Sequence, residues 1–202
     1  MAERAHGDFY SGRMFEADFL GSVRDIPEMR KRIKELWDGT SQTRVGDAAL
    51  PYLKFQDALT VVREFQPGDP TNPKKELARE LRLAVADALG VPEDQLDRVR
   101  FYTAVGSLLD TIHGVDGVVE VADERGGVSI ATLDLSLRRE KSESNYRAKA
   151  DIVISDLPDP KEEEDAYLAA VDASAKALAD VIRAQQERRR RPPPSRHAAA
   201  AM

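Results

Sequence analysis

Gly117-Val118-Val119-Glu120-Val121-Ala122 and Val128-Ser129-Ile130-Ala131-Thr132-Leu133-Asp134-Leu135-Ser136-Leu137 are the two stretches that decide the fold. The first is a short run rich in β-branched residues. The second alternates, with Val128, Ile130 and Thr132 on one side and Ser129, Ala131, Leu133, Leu135 and Leu137 on the other, the period of a strand with two distinct faces. Between them Asp123-Glu124-Arg125-Gly126-Gly127 is a turn signal. Together they predict a β-hairpin.

Working outward, Ala150-Asp151-Ile152-Val153-Ile154-Ser155 is a continuous apolar run of the kind that lies inside a sheet. Glu140 to Ala148 is polar and is expected to hold a helical turn. Lys161 to about Gln186 predicts a long final helix, with Tyr167, Val171, Ala175, Leu178 and Ile182 at packing intervals. On the other side, Val99 to Val105 is strand-like. Pro73 to Leu89 reads as a helix, capped by Asn72, carrying Leu77, Leu81, Ala84, Val85 and Ala88 as a stripe and stopped by Gly90. A helical turn is expected around Pro92 to Leu96. Gln66 to Pro73 contains three prolines and predicts an irregular linker. Before it, Ile26 to Trp37 and Leu53 to Phe65 read as helices, with Thr40 to Gly46 as a polar loop between them.

This pattern predicts an α/β fold: a central mixed β-sheet of about four strands flanked by helices, with N-terminal helices and a long C-terminal helix. The expected organisation is a helical extension over residues 1–72, an α/β core over 73–186 and a disordered basic tail over 187–202.

Composition narrows the function classes. None of the 202 residues is cysteine, which excludes a disulfide scaffold, a thiol nucleophile and thiolate metal sites. No apolar run reaches the roughly 18–20 residues of a membrane span, and Met1 to Gly21 has no signal-type stretch. The expectation is a cytoplasmic protein with no membrane partner. Charge is uneven: Arg183 to Met202 carries six arginines against one glutamate, so the net −6 conceals a tail of +5 and a body of −11. An acidic body is a poor general binder of polyanions, but Arg188, Arg189, Arg190 and Arg191 form a candidate nucleic-acid arm. The competing reading of that run is a solubilising tail.

Two carboxylates stand out. Asp116 opens one hairpin strand and Asp134 lies inside the other. Neighbouring strands can aim two carboxylates at one point, and a carboxylate pair with nearby carbonyls suits a hard cation such as magnesium, with manganese as its substitute. Such a cation activates water and offsets phosphate charge, and a lysine such as Lys141 can assist. The plain alternatives are a turn role for Asp116, a solvated Lys141, and an Asp134 paired with Lys141, Arg138 or Arg139 or facing solvent, since an unpaired buried carboxylate costs several kcal/mol. Asp110, His113 and Asp116 share a three-residue spacing that on a helix would put all three on one face as an Asp-His-Asp metal cluster, but Gly114 and Gly117 argue against a helix there, so His113 is expected at the top of the strand, against a carbonyl or substrate. No Gly-x-Ser-x-Gly elbow and no phosphate-cradling Gly-x-x-x-x-Gly-Lys sequence occurs.

The succession from Pro73 to Ser155, with an acidic residue opening the second strand and another inside the third, resembles the PD-(D/E)XK superfamily of nucleases, the restriction-endonuclease-like fold. The resemblance implies magnesium-dependent phosphodiester hydrolysis in nucleic acid, with Asp116 and Asp134 as metal ligands and Glu80 or Glu76 of the preceding helix as a further acidic ligand. It departs at Ser136, where the family places its lysine; Lys141 or Lys149 would then take that role. The alternative is a non-catalytic α/β interaction module, an inactive nuclease relative or a protein-binding protein, acting through a protein partner or as a homo-oligomer.

Overall fold

In the computed structural model, which describes residues 12–136 and 149–190, the hairpin is the middle of a four-stranded sheet. Its strands are β3 (Val99–Thr103), β4 (Gly117–Ala122), β5 (Val128–Ser136) and β6 (Ile152–Ser155), side by side in that order. The first three pair antiparallel, with Gly117 opposite Leu133 and Phe101 opposite Val119. Strand β6 joins β5 in parallel, Leu133 beside Ile152. Asp151 fixes where that parallel pair begins: its carboxylate accepts from both the backbone N–H and the hydroxyl of Thr132, each at 2.8 Å. The α/β class and the mixed sheet are as the sequence predicts.

Alternation along β5 sorts its side chains as expected. Ala131, Leu133 and Leu135 enter one apolar cluster, and Ile130 packs against the other. The first cluster fills the space beneath α4 (Glu76–Leu89) and α6 (Glu164–Arg190). Leu77, Leu81 and Val85 of α4 meet Tyr167, Val171, Ala175, Leu178 and Ile182 of α6 over Phe101, Val119 and Leu133. The second cluster lies on the opposite face, where α2 (Pro27–Leu36), α3 (Phe55–Glu64) and α5 (Leu108–His113) cover Tyr102, Val118 and Ile130. With helices on both faces, β4 is buried along nearly its whole length. Glu120, in the middle of β4 and only 6% exposed, is ion-paired with Arg63 of α3, which offsets its burial.

Several local expectations are corrected. Helix α4 starts at Glu76 rather than Pro73, and the backbone N–H of Asn72 instead closes a turn on Asp69. Residues 66–73 are irregular as expected, but they are more than a connection. The carbonyl of Pro70 accepts from Phe101 at 2.8 Å and the side-chain oxygen of Gln66 from Thr103 at 3.1 Å, so this segment satisfies the open edge of β3. The polar stretch at Thr40 contains a small antiparallel hairpin, β1 (Gln42–Val45) with β2 (Ala48–Pro51). It is mostly exposed, so no apolar alternation marks it. Two helices lack a forecast altogether: α1 (Gly12–Leu20) and α5. Gly114, read as a helix breaker, ends α5 as its left-handed cap at φ 61°. Helix α6 runs to Arg190, past the expected end near Gln186. The helical turn expected over Glu140 to Ala148 and the last residues of the tail lie outside the described residues.

Gly117 is where packing against β3 is tightest. A Cβ there would stand 2.8 Å from the Phe101 ring and 3.1 Å from Leu133 Cγ, both in the fully buried core. Gly117→Ala is therefore expected to lower unfolding stability by about 1–3 kcal/mol, the range for overpacked cores, read from urea denaturation at constant m-value. An unchanged midpoint would mean that Phe101 has room to move.

Candidate functional site

The acidic residues converge at the end of the sheet where β4 begins. Asp116 lies one residue before β4 and is 3% exposed. Its backbone N–H donates to the Leu133 carbonyl, its own carbonyl accepts from Ala104, and its carboxylate accepts from the Leu135 N–H, each at 2.8 Å. These three bonds hold the side chain against β5. Asp134, also 3% exposed, sits between Leu133 and Leu135 on that strand.

Two further carboxylates reach Asp116: Asp110, whose grouping with Asp116 the sequence reading set aside on account of Gly114 and Gly117, and Glu16, which it did not single out. Asp110 belongs to α5, which Ser107 caps. The Ser107 hydroxyl caps Leu109 and Asp110, and Asp110 accepts in return from the Gly106 N–H at 2.7 Å. Glu16 comes from α1. That helix docks through Phe15 and Leu20, and the segment after it is tied to β3: the Gly21 carbonyl accepts from the Thr103 hydroxyl at 2.8 Å, and Val23 donates to the Val105 carbonyl at 2.9 Å. One carboxylate oxygen from each of Glu16, Asp110 and Asp116 lies within 4.8 Å of the others. A carboxylate set of this kind, all hard oxygen donors, fits magnesium or manganese.

Burial pushes the Asp116 carboxyl up to about 8. The Leu135 N–H opposes the rise, and the neighbouring Glu16, Asp110 and Asp134 carboxylates add to it. At neutral pH Asp116 therefore holds a proton, which a cation entering the site would displace.

The remaining sequence candidates go elsewhere. Glu80 is not a member of the acidic group. It faces α6, where burial and then the adjacent Glu80 carboxylate drive the Tyr167 phenol far above its ordinary range. His113 parts from Asp110 and Asp116: its Nε2 lies 3.0 Å from the Leu53 carbonyl and its ring packs on Tyr52 and Phe55, so the expected backbone carbonyl is its partner. Lys149 donates from Nζ to the Ile112 carbonyl at 2.6 Å, at the C-terminal end of α5. Ser136, where the superfamily's lysine would stand, is 3% exposed. Lys141 and Arg191 lie outside the described residues.

Arg188, Arg189 and Arg190 occupy the last turn of α6, at the opposite end of the sheet. Arg189 donates to the Val128 carbonyl at 2.9 Å and to the Ser129 hydroxyl, and lies 3.8 Å from Asp123 in the β4–β5 turn. The length of β4, roughly 3.3 Å per residue, separates these arginines from the carboxylates.

Fold and site together define an α/β protein whose mixed sheet, covered by helices on both faces, gathers buried carboxylates at one end. No family model matches the chain, and neither a curated protein nor a solved structure matches it. Among the described residues no helix is long and apolar enough to cross a membrane.

The raised Asp116 value has a measurable consequence. The folded chain retains a proton that the unfolded chain, with a value near 3.8, has released. This contribution is fully present below about pH 4 and is lost as the pH climbs to about 8. In the presence of a chelator, the melting temperature should fall across that window more steeply for wild type than for Asp116→Asn, compared by calorimetry. Parallel pH profiles would show that Asp116 ionises as in the unfolded chain.

Proposed function

We propose that this protein is a divalent-cation-dependent phosphodiester hydrolase acting on nucleic acid, of the restriction-endonuclease-like kind. The observation that carries the reading is the meeting of Glu16, Asp110 and Asp116 within 4.8 Å of one another; Asp134 on the next strand stands outside that set and adds negative charge near Asp116. The sheet supports it: after α4 come three antiparallel strands, with the short α5 between the first two, and a fourth strand parallel to the third.

Asp116, Asp110 and Glu16 would hold the cation, with Asp134 adding negative charge beside Asp116. Bound there, magnesium or manganese supplies Lewis acidity toward a phosphate oxygen and a water of lowered pKa. The chain's own contribution is positional. The Leu135 N–H fixes one Asp116 oxygen and the Gly106 N–H fixes one Asp110 oxygen. In this reading the acidic residue supplied from outside the sheet is Glu16 of α1, in the place that the sequence reading gave to Glu80.

A second reading, a non-catalytic interaction module on the same scaffold, is favoured by Ser136 in the lysine position and by the engagement of Lys149 with Ile112. Cleavage decides between the two. Supercoiled DNA and a structured RNA, incubated with magnesium or manganese, should be nicked by wild type and spared when the metal is chelated. Asp116→Asn and Asp134→Asn should each lower the rate by at least the ~10–100-fold that loss of even a supporting group costs at metal sites. Both variants keep shape and hydrogen-bonding capacity, so they should fold. A wild type that cleaves neither substrate and whose melting temperature neither metal shifts would leave the interaction module in its place.

A further inference from the structure

The far end of the sheet carries a site of opposite charge. Two adjoining cavities, about 650 and 530 Å³ in volume, open between the end of α6, the β4–β5 turn and the loop after α4. They share Arg98, Glu124, Gln186 and Arg190, and so form one groove. Five arginines line it: Arg98, Arg125, Arg183, Arg189 and Arg190. Against them stand the carboxylates of Asp123, Glu124 and Glu187. The groove thus carries a formal +2 within a body that is strongly acidic.

The groove is built rather than incidental. Arg98 is anchored through Nε to the Ala122 carbonyl at 2.9 Å and through Nη1 to Gln95 at 2.6 Å. Arg189 is anchored to Val128 and Ser129, and Arg183 to the Ala88 carbonyl and Asp180. One oxygen of Asp123 accepts from the Gly127 and Arg125 N–H groups at 2.8 and 2.9 Å, which holds it below the usual carboxylate range, and the other lies 3.8 Å from Arg189. Arg125 and Arg190 are exposed on opposite walls. Both halves of the groove are mostly polar, and Leu89, Val91 and Pro92 add only a small apolar area beside the loop after α4.

We infer that this groove binds a compact polyphosphate, either an inorganic polyphosphate or the phosphate chain of a nucleotide. Guanidiniums recognise phosphate oxygens in bidentate fashion. The size of the groove matches a small ligand. The carboxylates within it and the acidic body around it disfavour a long polyanion, which would have to cross them. This inference does not rest on the proposed hydrolase activity, because the carboxylate group lies at the other end of β4.

Titration calorimetry in a chelating buffer at low salt, using ATP, inorganic triphosphate and a single-stranded oligonucleotide as probes, tests it without any cleavage readout. ATP and triphosphate are both expected to bind, more weakly as salt rises and at least tenfold more weakly to the double variant R125Q/R190Q. Tighter binding of ATP than of triphosphate would identify a nucleotide as the source of the phosphate chain, and equal affinity an inorganic polyphosphate, both supporting the inference. Neither substituted side chain makes an anchoring bond described above, so wild-type melting behaviour is expected and confirms that the variant is folded. Unchanged affinity for both in the variant would place binding elsewhere. Oligonucleotide binding tighter than either, and lost in the variant, would make the groove a nucleic-acid track instead. Binding of neither ATP nor triphosphate would overturn the inference altogether.

Discussion

The pairing of β4 with β5 is the interaction on which the rest of the structure depends. Both strands have helices over both faces, so the hairpin has no solvated side and its register cannot slip without exchanging the two cores. Gly117 opposite Leu133 sets that register, and the missing side chain lets Phe101 of β3 close over the pair. The same register brings Asp116 beside Leu133, Asp134 and Leu135, which is why a carboxylate is buried there.

The two ends of the sheet differ in electrostatic character for reasons of connectivity. At one end the chain enters β4 from α5 and lies under α1, and those helices bring Asp110 and Glu16 to Asp116. Burial of Asp116 is the main reason its carboxyl stands above the usual range, and the charges of its carboxylate neighbours add to the rise. At the other end α6 overruns the core by its last turn and lays its arginines against the β4–β5 turn. The positive charge at the end of α6 is thereby part of the folded surface, with Arg189 bonded to two residues of β5.

Much of the core was readable from local pattern. The strand periods of Gly117–Ala122 and Val128–Leu137, the apolar run at Ala150–Ser155 and the stripes of α3, α4 and α6 each announce a face that must be covered. The opening of α5 also has a local signal, since Ser107-Leu108-Leu109-Asp110 is a capping-box pattern. Gly114 masked it by being taken for a breaker. Helix α1 carries a weaker sign, Phe15 and Phe19 one turn apart, their rings 4.8 Å apart in the fold. The β1–β2 hairpin has none, because its side chains face water and no apolar alternation is required of them.

Sequence by itself determined the α/β class, the order of the sheet strands, and the placing of Asp116 at the start of one hairpin strand and Asp134 inside the other, because hydrophobic period and turn chemistry are local properties of the chain. Only the tertiary structure decided which carboxylates meet. Glu16 is a hundred positions from Asp116 in sequence, and it arrives through the docking of α1 and the ties of Gly21 and Val23 to β3. Glu80 sits on a well-predicted helix yet turns toward Tyr167, because α4 must face α6. Long-range meetings of this kind depend on how faces pack, and no single stretch of residues carries that information.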